Sequence, residues 1–156
     1  MVKLASQFVA LPPERRALAF TQTAARMAVS SWEKATILHA EHHRPADQAT
    51  PDRYARHYAD MERLLRHPEA SAMLADHALC ERVVEWKSRV FARQWARYDL
   101  ARPGTFRLVP TEERLAALSR DYAQMRAMFI AAPPEFKVVM ARLAEAERSL
   151  NASGAS

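Results

Sequence analysis

Glycine and cysteine are scarce in this sequence, and long apolar runs are missing. Glycine occurs only at positions 104 and 154, so the chain cannot form a P-loop or a dinucleotide-binding loop, which need several glycines. The single cysteine, Cys80, excludes an internal disulfide and a cysteine-based zinc site. No stretch approaches the ~18 apolar residues of a membrane span, and positions 1–10 lack the apolar core of a signal peptide. We therefore expect a cytoplasmic protein without a membrane partner.

The composition is that of one folded domain. Apolar residues make up 49% of the 156 residues and charged residues 26%, which is ordinary for a globular protein of this length. We expect a leader at 1–10, a helical domain at 11–150 and a small, polar, disordered tail at 151–156.

Apolar residues recur three or four positions apart along most of the chain, and the alternation typical of strands is missing. The pattern predicts an all-α fold, a single compact bundle of about five main helices plus short helical turns. Proline pairs at 12–13 and 133–134 favour helix starts, Ser30-x-x-Glu33 has the pattern of a capping box, and Thr50-Pro51 has that of an N-cap. The predicted helices lie near 12–28, 31–43, 51–66, 69–75, 78–94, 111–130 and 133–150. The linker at 95–110 is long, and such a loop is usually functional or tied down by its own side chains.

The most specific segments are Ser-Trp-Glu-Lys-Ala-Thr-Ile-Leu-His-Ala-Glu at 31–41 and Arg-Tyr-Ala-Arg-His-Tyr-Ala-Asp-Met at 53–61. With residues 98–100, 107–110 and 121–122 they resemble the C-terminal half of the AbiEii/AbiGii nucleotidyltransferase toxins, which belong to bacterial type IV toxin–antitoxin and abortive-infection systems. Residues 11–26 resemble the N-terminal helix of the same family.

The resemblance implies that Lys34 and Asp60 belong to the active site. A lysine suits a triphosphate, and an aspartate can orient or deprotonate a hydroxyl nucleophile. A short polar turn joins the two predicted helices, so we expect antiparallel neighbours whose side chains converge. The same two residues could also be a plain surface ion pair, worth under about 1 kcal/mol. Ala59 departs from the family, which usually has an aromatic residue there.

The magnesium-binding part of such an enzyme is missing from the sequence. Nucleotidyltransferases of this kind need a Gly-Ser-like loop and an Asp-x-Asp pair on a strand to hold magnesium, and this chain has no Asp-x-Asp. The pairs Asp60/Glu62 and Glu145/Glu147 lie on predicted helices, where residues two positions apart diverge. The pattern indicates an internally shortened family member with both helical flanks and no catalytic strands. We expect no cofactor for the chain alone; Mg²⁺ and a nucleoside triphosphate would bind only if another chain supplied the core.

A histidine cluster at positions 39, 42 and 43 shares a helical face, with Glu41 beside it. Facing imidazoles without a further ligand make an incomplete metal site. We therefore predict no metal site.

Positive charge is concentrated between positions 82 and 107, where seven basic residues stand against two acidic ones. This excess equals the net charge of the whole chain, +5. Aromatic residues interleave with the basic ones, a composition typical of an RNA-phosphate groove with stacking platforms, although arginine stems and aromatic rings also cover each other for stability alone. The predicted nucleic-acid-binding residues are Arg82, Arg89, Arg93, Arg97 and Trp95.

Two functions follow from these features. The first is a non-catalytic helical module, derived from a nucleotidyltransferase toxin, that binds a tRNA-like RNA or a protein partner. The second is a nucleotidyltransferase toxin whose metal-binding core comes from another chain. A gene product without a selected activity is a third reading.

Overall fold

The computed structural model describes the backbone of residues 13–129 and 131–154 and the side chains from residue 22 onward within those ranges. The predicted leader at 1–10 lies outside the described residues. The α-helices are α1 Pro13–His42, α2 Ala55–Leu65, α3 Ala70–Ala75, α4 His77–Val90, α5 Glu112–Gln124 and α6 Phe136–Ser153. Short 3-10 turns occupy Gln94–Ala96, Tyr98–Leu100 and Met125–Met128.

The predicted all-α bundle is confirmed, since the described residues contain helices and turns and no strand. Helix α1 packs against α2, α3 and α4, while α2 packs against α5 and α6 as well. The centre is apolar and continuous; its largest fully buried side chains include Trp32, Leu38, Tyr58, Met61, Phe106, Leu108, Leu118 and Leu143. No helix in the described part of the chain is long and apolar enough to cross a membrane.

The predicted break between helices 12–28 and 31–43 is wrong, because α1 runs without interruption through Ser30 and Glu33. Neither proline nor glycine occurs between Met27 and His42, so nothing forces the helix to stop. The hydroxyl of Ser31 donates to the Met27 carbonyl one turn earlier, a bond that serine forms inside helices.

The predicted helix start at Thr50-Pro51 is also wrong, because α2 begins at Ala55. The hydroxyl of Thr50 donates to Glu41 rather than capping the helix. The carboxylate of Asp121, on α5, instead accepts the backbone N–H groups of Arg53 at 2.8 Å and Ala55 at 2.7 Å. A side chain distant in sequence therefore satisfies backbone donors at the start of α2.

The remaining boundaries shift by a few residues. Helix α4 ends at Val90 rather than 94, and the helix predicted at 111–130 closes as a 3-10 turn after Gln124. The last helix starts at Phe136 because Glu135 is extended and acts as its N-cap. That helix continues to Ser153, so the predicted disordered tail at 151–156 is wrong for its first three residues.

The linker at 95–110 is tied to the bundle through its backbone. Phe106 and Leu108 are fully buried, and the Asn151 side chain both donates to the carbonyl and accepts from the N–H of Phe106. The carboxylate of Glu147 accepts the N–H groups of Leu108 and Val109 at 2.6 and 3.1 Å. The C-terminal part of α6 and the linker therefore hold each other in place.

Glu41 is a fully buried carboxylate at the end of α1. Its oxygens accept from Arg44 at 2.6 Å and from the Thr50 hydroxyl, and Arg114 of α5 lies 3.6 Å away. The Arg114 guanidinium also donates to backbone carbonyls between residues 44 and 48. This network fixes the turn between α1 and α2.

We predict that Arg114→Met destabilises the fold by about 3–5 kcal/mol, because it leaves a buried carboxylate short of a partner and frees the carbonyls of the turn. Urea unfolding at neutral pH measures the change. The matched variant Arg120→Met, at an exposed position of the same helix, should change the free energy of unfolding by less than about 0.5 kcal/mol. Similar losses for both variants would contradict this account.

Candidate functional site

Lys34 and Asp60 meet between α1 and α2. The Lys34 ammonium lies 2.8 Å from the Asp60 carboxylate and 3.2 Å from Nδ1 of His57. Their side chains are 25% and 43% exposed, so the pair opens to solvent. The predicted convergence of Lys34 and Asp60 is confirmed, whereas their roles remain a prediction.

His57 is a member of this group that the sequence analysis missed. Burial, followed by the neighbouring Lys34 charge, lowers the pKa of His57 to about 4, so the imidazole is neutral near pH 7. Because an ammonium only donates, Nδ1 must accept from Lys34 and the ring proton sits on Nε2. The signal in the sequence was the spacing of His57 and Asp60, three positions apart on one helical face.

The two acidic pairs considered for magnesium do not converge. Asp60 faces Lys34, while Glu62 is buried and binds Arg66 and Arg142. Glu147 holds the backbone of the linker and also pairs with Arg107. The described residues thus offer one carboxylate at Lys34, which does not fit a two-carboxylate magnesium site.

Two members of the histidine cluster, His39 and His42, hold the backbone of the linker. His39 is fully buried; its Nε2 donates to the Arg97 carbonyl at 2.9 Å and its Nδ1 accepts the Arg107 N–H at 3.1 Å. His42 donates from Nδ1 to the Val109 carbonyl at 2.7 Å. Both ring nitrogens of His39 are therefore occupied, and no group of three or more potential ligands gathers anywhere in the described part of the chain.

The four predicted arginines all lie at the surface, with different local partners. Arg89 pairs with Glu85 at 2.6 Å, and Arg97 pairs with Asp99 at 2.9 Å, which holds the pKa of that carboxyl below its usual range. Within the described ranges, Arg82 and Arg93 form no ion pair.

Trp95 is half-buried between guanidinium groups. Its ring centre lies 4.7 Å from the Arg44 guanidinium and 5.6 Å from that of Arg93. This arrangement is typical of arginine and an aromatic ring covering each other.

Two other aromatic residues extend from the end of α4. Trp86 and Phe91 are 49% and 46% exposed, and their ring centres stand 5.7 Å apart in an edge-to-face arrangement. The ammonium of Lys87 lies 5.6 Å from the Trp86 ring centre and 5.1 Å from that of Phe91. We give the name α4 surface to five exposed residues that lie on α4 or within three positions of its end: Arg82, Trp86, Arg89, Phe91 and Arg93.

We predict that acid destabilises the fold through His39. Burial lowers its pKa to about 4, against about 6.5 in an unfolded chain, so only the unfolded state binds this proton between these values. The contribution of His39 to the free energy of unfolding is therefore fully present above pH 6.5 and decreases as the pH drops toward 4. The slope for this group approaches about 1.4 kcal/mol per pH unit.

Urea unfolding between pH 7.5 and 5 measures this slope. His39→Gln should be less stable at pH 7.5 and should show a shallower decline between pH 6.5 and 5. Parallel pH profiles for the two proteins would show that His39 does not carry the effect.

A known protein family matches most of the chain. The sequence profile of the family described as nucleotidyl transferase AbiEii toxin, type IV toxin–antitoxin system, matches residues 8–145. No curated protein and no solved structure matches the chain. The matched region includes the Lys34–Asp60 pair, the linker at 95–110 and most of α6. The predicted resemblance is confirmed: this chain belongs to the AbiEii nucleotidyltransferase toxin family.

Proposed function

We propose that this AbiEii-family chain binds RNA through the α4 surface and, by itself, transfers no nucleotide. The observation that carries the proposal is the exposure of Trp86 and Phe91 on the segment that also exposes the three arginines of the α4 surface. Bases stack on exposed rings, and phosphates are attracted to neighbouring cations, whatever the sequence. A tRNA-like RNA is the proposed target.

The charges of the α4 surface support this proposal unequally. Arg82 and Arg93, which lack ion-pair partners among the described residues, can neutralise phosphates without breaking an existing pair. Arg89 would first have to leave Glu85, although an exposed pair of this kind is weak. Arg97 is engaged by Asp99 and Trp95 is partly covered, so we assign them smaller contributions.

The chain's acidic residues support the non-catalytic half of the proposal. The full sequence contains no Asp-x-Asp, and the nearest acidic pair diverges, with Asp60 toward Lys34 and Glu62 toward Arg142. The family is a toxin–antitoxin family and thereby implies a protein antitoxin as its counterpart. A protein partner rather than RNA at the α4 surface is the competing outcome.

For Arg82→Gln/Arg93→Gln we predict weaker binding of a tRNA and a flatter dependence on salt. Each lost phosphate contact should reduce the slope of log affinity against log salt concentration by roughly 0.7–0.9. Fluorescence anisotropy between 50 and 300 mM salt measures the affinity and its salt slope. Thermal unfolding should show only a slight fall in melting temperature, from the lost contact between Arg93 and Trp95.

The double variant Arg120→Gln/Arg148→Gln provides the matched control, because it removes two exposed arginines from other helices. It should retain the salt slope of the unaltered protein. Equal slopes for all three proteins, or a fall in melting temperature without a loss of affinity, would refute RNA binding through the α4 surface.

A second candidate function is nucleotide transfer with the core supplied by another chain, and the Lys34–Asp60 contact favours it. Lys34 would bind phosphate oxygens and Asp60 would orient or deprotonate the attacking hydroxyl. Magnesium would supply charge neutralisation, but it would have to be held by residues that this chain does not contribute.

We predict that the purified chain transfers no label from nucleoside triphosphates to tRNA in the presence of magnesium. Gel separation of the RNA with each labelled nucleotide provides the measurement. Robust transfer that is abolished by Lys34→Ala or Asp60→Ala, and retained by Lys137→Ala, would overturn the non-catalytic proposal and establish the second function.

A further inference from the structure

We propose that Lys87 binds a phosphate group of a nucleotide whose base stacks on Trp86. The inference deepens the proposed function and rests on it for the identity of the ligand as RNA. It concerns a different residue from the exposed arginines, and it predicts a discrete binding position rather than a diffuse attraction.

Most of Lys87 is buried, but solvent still reaches its ammonium. Only 8% of the residue is exposed, yet none of the described residues accepts a hydrogen bond from its ammonium or lies within ion-pair distance of it. Burial of the side chain removes part of the water around this charge and lowers the pKa of Lys87, and no ion pair replaces that water. An anion from solvent can therefore reach this ammonium without displacing another partner.

Charged groups of both signs lie around Lys87 on the seam between α1 and α4. The charged groups that act on it are Glu33 and Lys34 of α1, and burial together with Lys34 lowers its pKa while Glu33 opposes that change. Its charge also acts on neutral His57 of α2. Lys34 is already engaged by Asp60, whereas the Lys87 ammonium remains available to a ligand.

The rings beside Lys87 specify what kind of anion fits. Its ammonium lies within 6 Å of the ring centres of both Trp86 and Phe91, and about half of each residue is exposed. A cation–π contact of this kind is weak at an exposed site and does not replace an ion pair. An exposed indole next to an unpaired ammonium matches a base and its phosphate.

The test uses the full chain and the variant Lys87→Met, which keeps the apolar stem and removes the charge. The probes are single-stranded decauridylate, uridine monophosphate and inorganic phosphate at one ionic strength, measured by calorimetric titration. We expect decauridylate binding to weaken at least about tenfold, as for the loss of a charged hydrogen bond. The melting temperature should change little, because methionine keeps the apolar stem in place and the ammonium has no ion pair to lose.

Lys137→Met, which removes an exposed lysine on α6, is the matched control and should not change the affinity. Lys87→Gln provides a second variant if the methionine packs poorly, and Trp86→Leu should weaken decauridylate binding as well. The smaller probes identify the source of the phosphate: a Lys87-dependent loss for uridine monophosphate indicates a free nucleotide, and a loss confined to decauridylate indicates a chain phosphate.

Unchanged decauridylate and nucleotide affinities in both Lys87 variants would overturn the inference. If Arg82→Gln/Arg93→Gln still weakened RNA binding, the proposed function would remain. Conversely, Lys87-dependent binding of uridine monophosphate without any RNA binding would support the phosphate site and refute the RNA function.

Discussion

The buried Glu41 carboxylate is the constraint on which the candidate site depends. Arg44, Thr50 and Arg114 surround it, and together they fold the chain after α1 so that α2 returns along the same helix. Because an unpaired buried carboxylate is costly, the turn has little freedom to open. Lys34 and Asp60 lie 26 positions apart in the sequence and meet only through this turn.

Much of what resembles the family in sequence holds the scaffold rather than the chemistry. Asp121 accepts backbone N–H groups at the start of α2, and His39 holds the linker at both ring nitrogens. The backbone of the linker also contributes to this contact. Arg97 adopts a left-handed conformation, and its carbonyl accepts the hydrogen bond from His39. A non-glycine residue pays for that conformation with strain, which the surrounding hydrogen bonds offset.

The helical fold could be predicted from the periodicity of apolar residues. Helices place residues three and four positions apart on one face, and a sequence shows this spacing directly. The helix boundaries were harder to predict. The sequence indicated Thr50 as the N-cap of α2, but the Thr50 hydroxyl donates to Glu41, and the Asp121 carboxylate accepts the N–H at the helix start instead. Lys34 and Asp60 came from the family resemblance. His57 was missed, and the burial of Lys87 could not be read from its neighbours because it depends on α1 packing against α4.

The number of charges in the sequence does not show which of them form ion pairs in the structure. Of the seven basic residues between 82 and 107, three engage carboxylates, on Glu85, Asp99 and Glu147. The other four have no ion pair within the described ranges, and one of these, Lys87, is buried. The +5 charge of the segment is therefore not spread evenly over a groove. Three of these cations lie at the surface without an ion pair, and the ammonium of the fourth lies within 6 Å of two ring centres, so the unpaired charge of this segment occupies two different environments.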